Sequence, residues 1–144
     1  MDYSKLSKEE LVELLELRDR PVRAKDPEEV YGALSEYANA KQERFIVVML
    51  DNAMHIIKRE VVSLGTVNRA LVHPREVFAP CIENRATACV LAHNHPSGVL
   101  TPSPDDISLT DRLKKAGEIL GIKVCDHIVF SYTGYHSMYE CGEF

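Results

Sequence analysis

His93 ends the short apolar run "RATACVLAH", and His95 follows two positions later. Short apolar runs of this kind, bounded here by Asn84 and Pro96, are typical of a central β-strand. Side chains two positions apart on a strand point to the same face, whereas on a helix they diverge. The pattern therefore predicts that both imidazoles aim at one point, while Asn94 between them faces the other way in a structural role.

A carboxylate follows in the next predicted element. The stretch "SPDDISLTDRLKKAGEILGI" predicts a helix with Ser103 as N-cap, Pro104 at its first position and Gly121 at its end. Asp106, in the first turn, can complete a three-ligand site with the two histidines. Two imidazoles and one carboxylate suit a catalytic zinc ion whose fourth position is left for water. The same set can also hold non-haem iron.

Each part of this pattern also has a purely structural interpretation. "SPDD" is a good helix start without any metal, in which Ser103 caps the helix and Asp106 faces its dipole. The full spacing H-x-H-x7-S-x2-D is more specific than H-x-H, because four residue types must agree at fixed offsets. The string "HNH" does not indicate an HNH nuclease, whose residues are scattered through a ββα unit. A zinc nucleoside deaminase would need H-x-E and P-C-x-x-C, which this sequence lacks.

The remaining patterns predict an α/β fold: a single domain with a mixed β-sheet flanked by helices. An early hairpin precedes alternating helices and strands. The predicted helices are residues 7–18, Asp26 to about Ala40, a segment opening at Pro74, and the helix after Ser103. The predicted strands are Phe45–Leu50, a second hairpin strand to about Leu64, the run before His93, "IKVCDHIVFS" and a last short strand.

Composition limits the classes of function. The chain has 144 residues, enough for one domain, and its net charge of −5 argues against non-specific binding of a polyanion, although a local basic patch around Lys114 and Lys115 remains open. None of the four cysteines forms a C-x-x-C pair, which favours reduced thiols over a zinc ribbon. The sequence contains no apolar run of about 18 residues and no secretory signal pattern, so we expect a cytoplasmic protein without a membrane partner.

The spacing from His93 to Asp106 resembles the JAMM motif of the MPN-domain metalloproteases. The longer run "HNHPSG", with "GT" at 65–66, "HPRE" at 73–76 and "DHI" at 126–128, resembles the bacterial RadC family over about residues 26–143. The resemblance implies an MPN (cytidine-deaminase-like) domain over 26–144, preceded by an N-terminal helical extension over 1–25. RadC proteins usually carry a helix-hairpin-helix segment ahead of this domain. The extension shows no such pair, so we expect a short form.

The resemblance also implies roles for the residues of the motif. His93, His95 and Asp106 would be ligands of Zn2+, and Ser103 would help to stabilise a tetrahedral intermediate. The last role uses the same hydroxyl that would otherwise only cap the helix.

The family further needs an upstream glutamate as general base. Glu43 comes just before the apolar strand "RFIVVML", as the family's glutamate does, and it is the favoured candidate. Glu60, in "KREVV", is the alternative, because sequence alone does not show which carboxylate reaches the site. Asp126 is a candidate for orienting a ligand histidine from behind.

The implied activity is zinc-dependent hydrolysis, as a metallopeptidase or isopeptidase acting on a protein or peptide substrate. The alternative is a DNA repair or recombination accessory protein, the role for which RadC proteins were named. Such a protein would act as a DNA or protein interaction module, and its DNA binding would be sensitive to salt. The leucine stripe of the first helix can pack on its own core or on a second copy, which leaves a homodimer open.

Overall fold

The computed structural model describes residues 3–12, 24, 26–64 and 72–144. Five strands form one sheet in the order β2-β1-β3-β4-β5. Only β3 and β4 are parallel, while the other neighbouring pairs are antiparallel. The mixed sheet and the α/β class predicted from the sequence are confirmed. The strands are β1 (Arg44–Leu50), β2 (Ile56–Leu64), β3 (Ala88–Asn94), β4 (Lys123–Ser131) and β5 (Gly134–Ser137).

Three helices pack on this sheet: α1 (Pro27–Ala33), α2 (Pro74–Glu83) and α3 (Pro104–Leu120). Each has a proline in its first turn, where the missing N–H costs no helical hydrogen bond. Residues 8–12 are also helical, and Ser7 and Glu10 form the predicted capping box. The rest of the predicted helix 7–18, and the "GT" pair at 65–66, lie outside the described residues. Within the described chain, no helix combines the length and apolar character that a membrane crossing requires.

The prediction that the second helix runs to about Ala40 is wrong. Helix α1 ends at Ala33, and residues 35–37 form a separate 3-10 turn. The cause is a tertiary contact, since the Arg59 guanidinium on β2 donates to the carbonyl of Ala33 and pairs with Glu36. That contact satisfies a carbonyl at the helix end and replaces the hydrogen bond that another helical turn would supply.

The sheet is covered on both faces. Every residue of β1 from Phe45 to Leu50 is completely buried, as expected for a central strand. Alternate side chains divide between two cores: Phe45, Val47 and Met49 lie in the core shared with α2 and α3, and Ile46, Val48 and Leu50 in the core shared with α1. The end of β3 that carries His93 lies beside the start of α3, where Asp106 is located. The four cysteines are unpaired thiols, with Cys81 and Cys89 buried.

Helix α3 makes a close approach to the chain at Gly117. A Cβ atom there would lie 2.4 Å from the carbonyl oxygen of Ile122 and 3.3 Å from the ring of Phe78. The amide of Ile122 also donates to the carbonyl of Gly117 at 2.9 Å. The glycine therefore sets how closely the helix that carries Asp106 packs on the sheet.

We expect Gly117→Ala to destabilise the fold by about 1–3 kcal/mol, because the methyl group meets backbone that cannot move aside. Gly32→Ala is the matched control, since a Cβ there meets nothing within 4 Å and replacing a helical glycine stabilises by about 0.5–1 kcal/mol. Urea unfolding of both variants measures the difference. Equal free energies of unfolding for the two variants would contradict this account of the close approach.

Candidate metal centre

Four side chains with metal-binding atoms converge where β1, β3 and α3 meet: Glu43, His93, His95 and Asp106. The Nε2 atoms of His93 and His95 lie 2.9 Å apart. Oδ2 of Asp106 lies 3.4 Å from Nε2 of His93 and 3.9 Å from Nε2 of His95. Oε1 of Glu43 lies 4.0 and 3.7 Å from the same two nitrogens. The donor atoms of Glu43 and the two histidines all lie within 4.8 Å of one another, close enough to hold one ion.

The centre is closed on one side and open on the other. The side chains of His93 and Asp106 are 0% exposed, whereas those of His95 and Glu43 are 16% and 20% exposed. A carboxylate buried in this way is costly unless a positive charge or hydrogen bonds compensate it. The open side, lined by His95 and Glu43, is where a second molecule can approach.

A backbone carbonyl determines which ring nitrogen of His95 carries the proton. Its Nδ1 lies 2.6 Å from the carbonyl oxygen of Val99. A carbonyl can only accept, so Nδ1 carries the proton and donates it. In the neutral imidazole, Nε2 then has a lone pair, and this is the atom that faces His93 and Asp106.

A longer chain of hydrogen bonds determines which ring nitrogen of His93 carries the proton. The Thr110 hydroxyl donates to the carbonyl of Asp106 at 2.7 Å, so it accepts from Nδ1 of His127 at 2.5 Å. Nε2 of His127 is thereby left to accept from Nδ1 of His93, at 2.7 Å. Nε2 of His93 then carries a lone pair as well.

Two lone pairs thus face one point beside two carboxylates. Such lone pairs 2.9 Å apart repel each other unless a proton or a metal cation lies between them. Neutral imidazoles, each donating its other N–H to an acceptor behind it, are the usual ligands of transition-metal ions. The donor set therefore fits a divalent cation, as the spacing of the motif predicted.

The pairing of β1 with β3 brings Glu43 to the centre. Phe45 pairs with His93, and the antiparallel register, continued by two residues, sets Glu43 opposite His95. Glu60 lies on β2, paired with a residue in the middle of β1. The geometry favours Glu43 over Glu60 as the carboxylate beside the histidines.

Asn94 holds the segment that carries Glu43. Its Oδ1 accepts from the amide of Arg44 at 2.6 Å, and its Nδ2 donates to the carbonyls of Gln42 at 3.0 Å and Ala40 at 3.5 Å. The residue between the two histidines therefore clamps the backbone on both sides of Glu43. Its structural role was predicted from strand alternation, but these partners were not.

Ser103 is the N-cap of α3. Its hydroxyl accepts from the amide of Asp106 at 3.1 Å, and Oδ2 of Asp106 accepts from the amide of Ser103 at 2.8 Å. This reciprocal pair holds the Asp106 carboxylate at the start of the helix, facing the histidines. A hydroxyl that accepts one hydrogen bond still has its own O–H to donate.

Asp126 lies away from the metal-binding atoms. Its carboxylate accepts from the Ser137 hydroxyl and from the amides of His127 and Tyr139. Burial raises the pKa of the Asp126 carboxyl above its ordinary value, against these hydrogen bonds, which lower it. The side chain that orients a histidine is instead the neighbouring His127. The motif "DHI" at 126–128 contains both residues. Because neighbouring side chains on a strand point to opposite faces, only one of the two can face His93.

Comparison with known proteins identifies the family of the chain. The sequence model described as "RadC-like JAB domain" matches residues 24–143. The chain is similar to proteins named UPF0758: 48% identical over 107 residues to one from Pelobacter propionicus, 46% over 124 residues to one from Rubrobacter xylanophilus, and 41% over 138 residues to one from Staphylococcus haemolyticus.

These matches cover 74%, 85% and 94% of the chain but 47%, 54% and 60% of the respective relatives. The chain thus spans between about half and three-fifths of the length of these curated relatives. The family match covers most of the chain, including each of the four residues of the centre. The chain belongs to the RadC-like JAB domain family.

Proposed function

We propose that this domain is a zinc-dependent hydrolase that cleaves peptide or isopeptide bonds. The observation that carries the proposal is the arrangement of His93, His95 and Asp106 around one point with Glu43 at its open side. Two imidazoles with one carboxylate are a zinc ligand set that leaves a position for water. A second carboxylate at that position is what a hydrolytic site needs as its base.

His93, His95 and Asp106 would hold the zinc ion, which would supply Lewis acidity to lower the pKa of water towards about 7 and to polarise a carbonyl group. The protein supplies the remaining steps. Oε1 of Glu43 accepts the proton of the attacking water and passes it to the nitrogen of the leaving amine. The Ser103 O–H donates to the oxygen that becomes negative as the carbonyl carbon turns tetrahedral.

The exposure pattern suggests how a substrate would bind. His93 and Asp106 are fully buried, so the scissile bond reaches the centre from the side of Glu43 and His95. An extended peptide or a lysine-linked chain fits that approach, because its carbonyl can enter while the rest stays in solvent. The substrate class we propose is therefore a protein or peptide.

Replacing Glu43 tests the function directly. We expect Glu43→Gln to lower turnover of peptide or isopeptide substrates by about 10²–10⁴-fold, since the amide cannot accept the proton. Zinc content, measured by elemental analysis, should equal that of the wild-type chain. Glu60→Gln is the matched control and should keep full turnover, while His95→Ala should lose one zinc ion per chain relative to the wild type.

Three outcomes would contradict the proposal. One is a purified chain that binds no zinc, and another is turnover that survives Glu43→Gln but is abolished by Glu60→Gln. The third is salt-sensitive binding of duplex DNA by a chain that cleaves no peptide or isopeptide in a fluorogenic panel. That last result would favour the DNA-associated role over hydrolysis.

The orienting role of His127 gives a second test. Thr110→Val keeps the shape of the side chain but removes the oxygen that accepts from Nδ1 of His127. We expect at least a tenfold loss of zinc affinity, in line with the roughly 10–100-fold cost of removing a hydrogen-bond partner behind a metal ligand. Thr87→Val, on an exposed threonine, is the control. Zinc affinity is measured in competition with a chromophoric chelator. An unchanged affinity in Thr110→Val would refute the role of the hydrogen-bond chain that runs from Thr110 through His127 to His93.

The clamp at Asn94 gives a third test. Asn94→Ala releases the backbone beside Glu43 while leaving every proposed zinc ligand in place. We expect turnover to fall by about 100-fold, the cost of a small misplacement of a catalytic group, with zinc content unchanged. Asn84→Ala, which removes a side-chain hydrogen bond at the end of α2, is the control. A loss of zinc together with turnover would show that the residue supports the histidines and not the base.

A further inference from the structure

A second group of metal-binding side chains lies at the edge of the sheet. His136 is on β5, and Cys141 and Glu143 lie in the turn that follows. One donor atom from each of these residues lies within 4.8 Å of the other two. Nε2 of His136 is 2.5 Å from Oε1 of Glu143, and Nδ1 of His136 is 4.0 Å from Sγ of Cys141.

Backbone hydrogen bonds hold the three residues together. The amide of Cys141 donates to the carbonyl of Ser137 at 3.1 Å, and the amide of Glu143 donates to the carbonyl of Met138 at 2.9 Å. Gly142 between them has a φ of +74°, a left-handed conformation that most side chains avoid and that lets the turn close. The donors are thus brought together by the local fold and do not depend on an ion to gather them.

We propose that His136, Cys141 and Glu143 form a second metal site, for a borderline-soft divalent ion such as zinc. A thiolate excludes magnesium and calcium, which take oxygen ligands, and a set of one sulfur, one nitrogen and one oxygen suits zinc or cobalt. Zinc bonds of about 2.0–2.3 Å require donor atoms roughly 3–4 Å apart around a tetrahedron. Glu143 faces Nε2 of His136 and Cys141 faces Nδ1, so side-chain rotation must bring the thiolate and the carboxylate to one of these two nitrogens.

The site is open to ions from solvent. Cys141 is exposed, and the side chains of His136 and Glu143 are 23% and 28% exposed. Binding would displace the proton of the thiol and break the hydrogen bond between His136 and Glu143. A bound ion would tie the turn after β5 to the edge strand. This turn also presents the Tyr139 amide to the buried carboxylate of Asp126.

Cobalt titration separates this site from the first one. The first centre contains no sulfur, so only a cobalt–thiolate bond gives charge-transfer absorption in the near ultraviolet. We expect the reduced full chain to develop that absorption to a limit of one cobalt per chain. Zinc should then bleach it, because a thiolate ligand favours zinc.

Variants identify the ligands. Cys141→Ser should abolish the charge-transfer absorption, whereas Cys125→Ser, on the other cysteine that is not fully buried, should leave it unchanged. His136→Gln and Glu143→Gln should each weaken cobalt binding at this site at least about tenfold. No charge-transfer absorption in the wild-type chain would overturn the proposal. Absorption that survives Cys141→Ser, or that disappears in Cys125→Ser, would also overturn it. So would unchanged cobalt affinity in both His136→Gln and Glu143→Gln.

Discussion

Two backbone carbonyls, those of Val99 and Asp106, determine the chemistry of the main centre. Each can only accept a hydrogen bond, so each forces the group facing it to donate. Val99 acts on His95 directly, and Asp106 acts on His93 through Thr110 and His127. Both imidazoles are thereby left with a lone pair on the inner nitrogen, which a neutral histidine needs in order to bind a metal. The carbonyls belong to the loop and helix after β3, so the folding of that segment fixes which nitrogen of each imidazole faces the centre.

The sheet brings the remaining groups to the same point. Because β3 and β4 are parallel neighbours, His127 lies behind His93, and because β1 and β3 are antiparallel, Glu43 reaches His95. The capping box of α3 turns Asp106 inward, and the close approach at Gly117 keeps that helix on the sheet. The centre thus depends on three elements whose packing is supported by two apolar cores. His93 and Asp106 are fully buried and Glu43 is partly exposed because only one side of this junction is covered.

Patterns with a local physical cause were predicted well. The strand that carries His93 and ends just before His95, the helix start at Ser103 and the mixed sheet follow from alternation, capping and apolar runs, all of which act over a few residues. The errors have long-range causes. Helix α1 is shorter than predicted because Arg59, on a different strand, satisfies its last carbonyl. His127, and not Asp126, contacts His93. The sequence does not show which face of β4 meets the site, because that depends on which strand lies beside it.

The sequence by itself determined the types of the metal-binding side chains, their spacing along the chain and the common direction of His93 and His95, because a strand's alternation is built into its backbone. It also identified the family, through residues that stand at fixed offsets. Only the tertiary structure decided between Glu43 and Glu60 as the carboxylate beside the histidines, revealed the Asn94 clamp and gathered His136, Cys141 and Glu143 at one edge. Those outcomes depend on strand order, register and turn closure, which are set by the packing of the whole domain and not by neighbours in the chain.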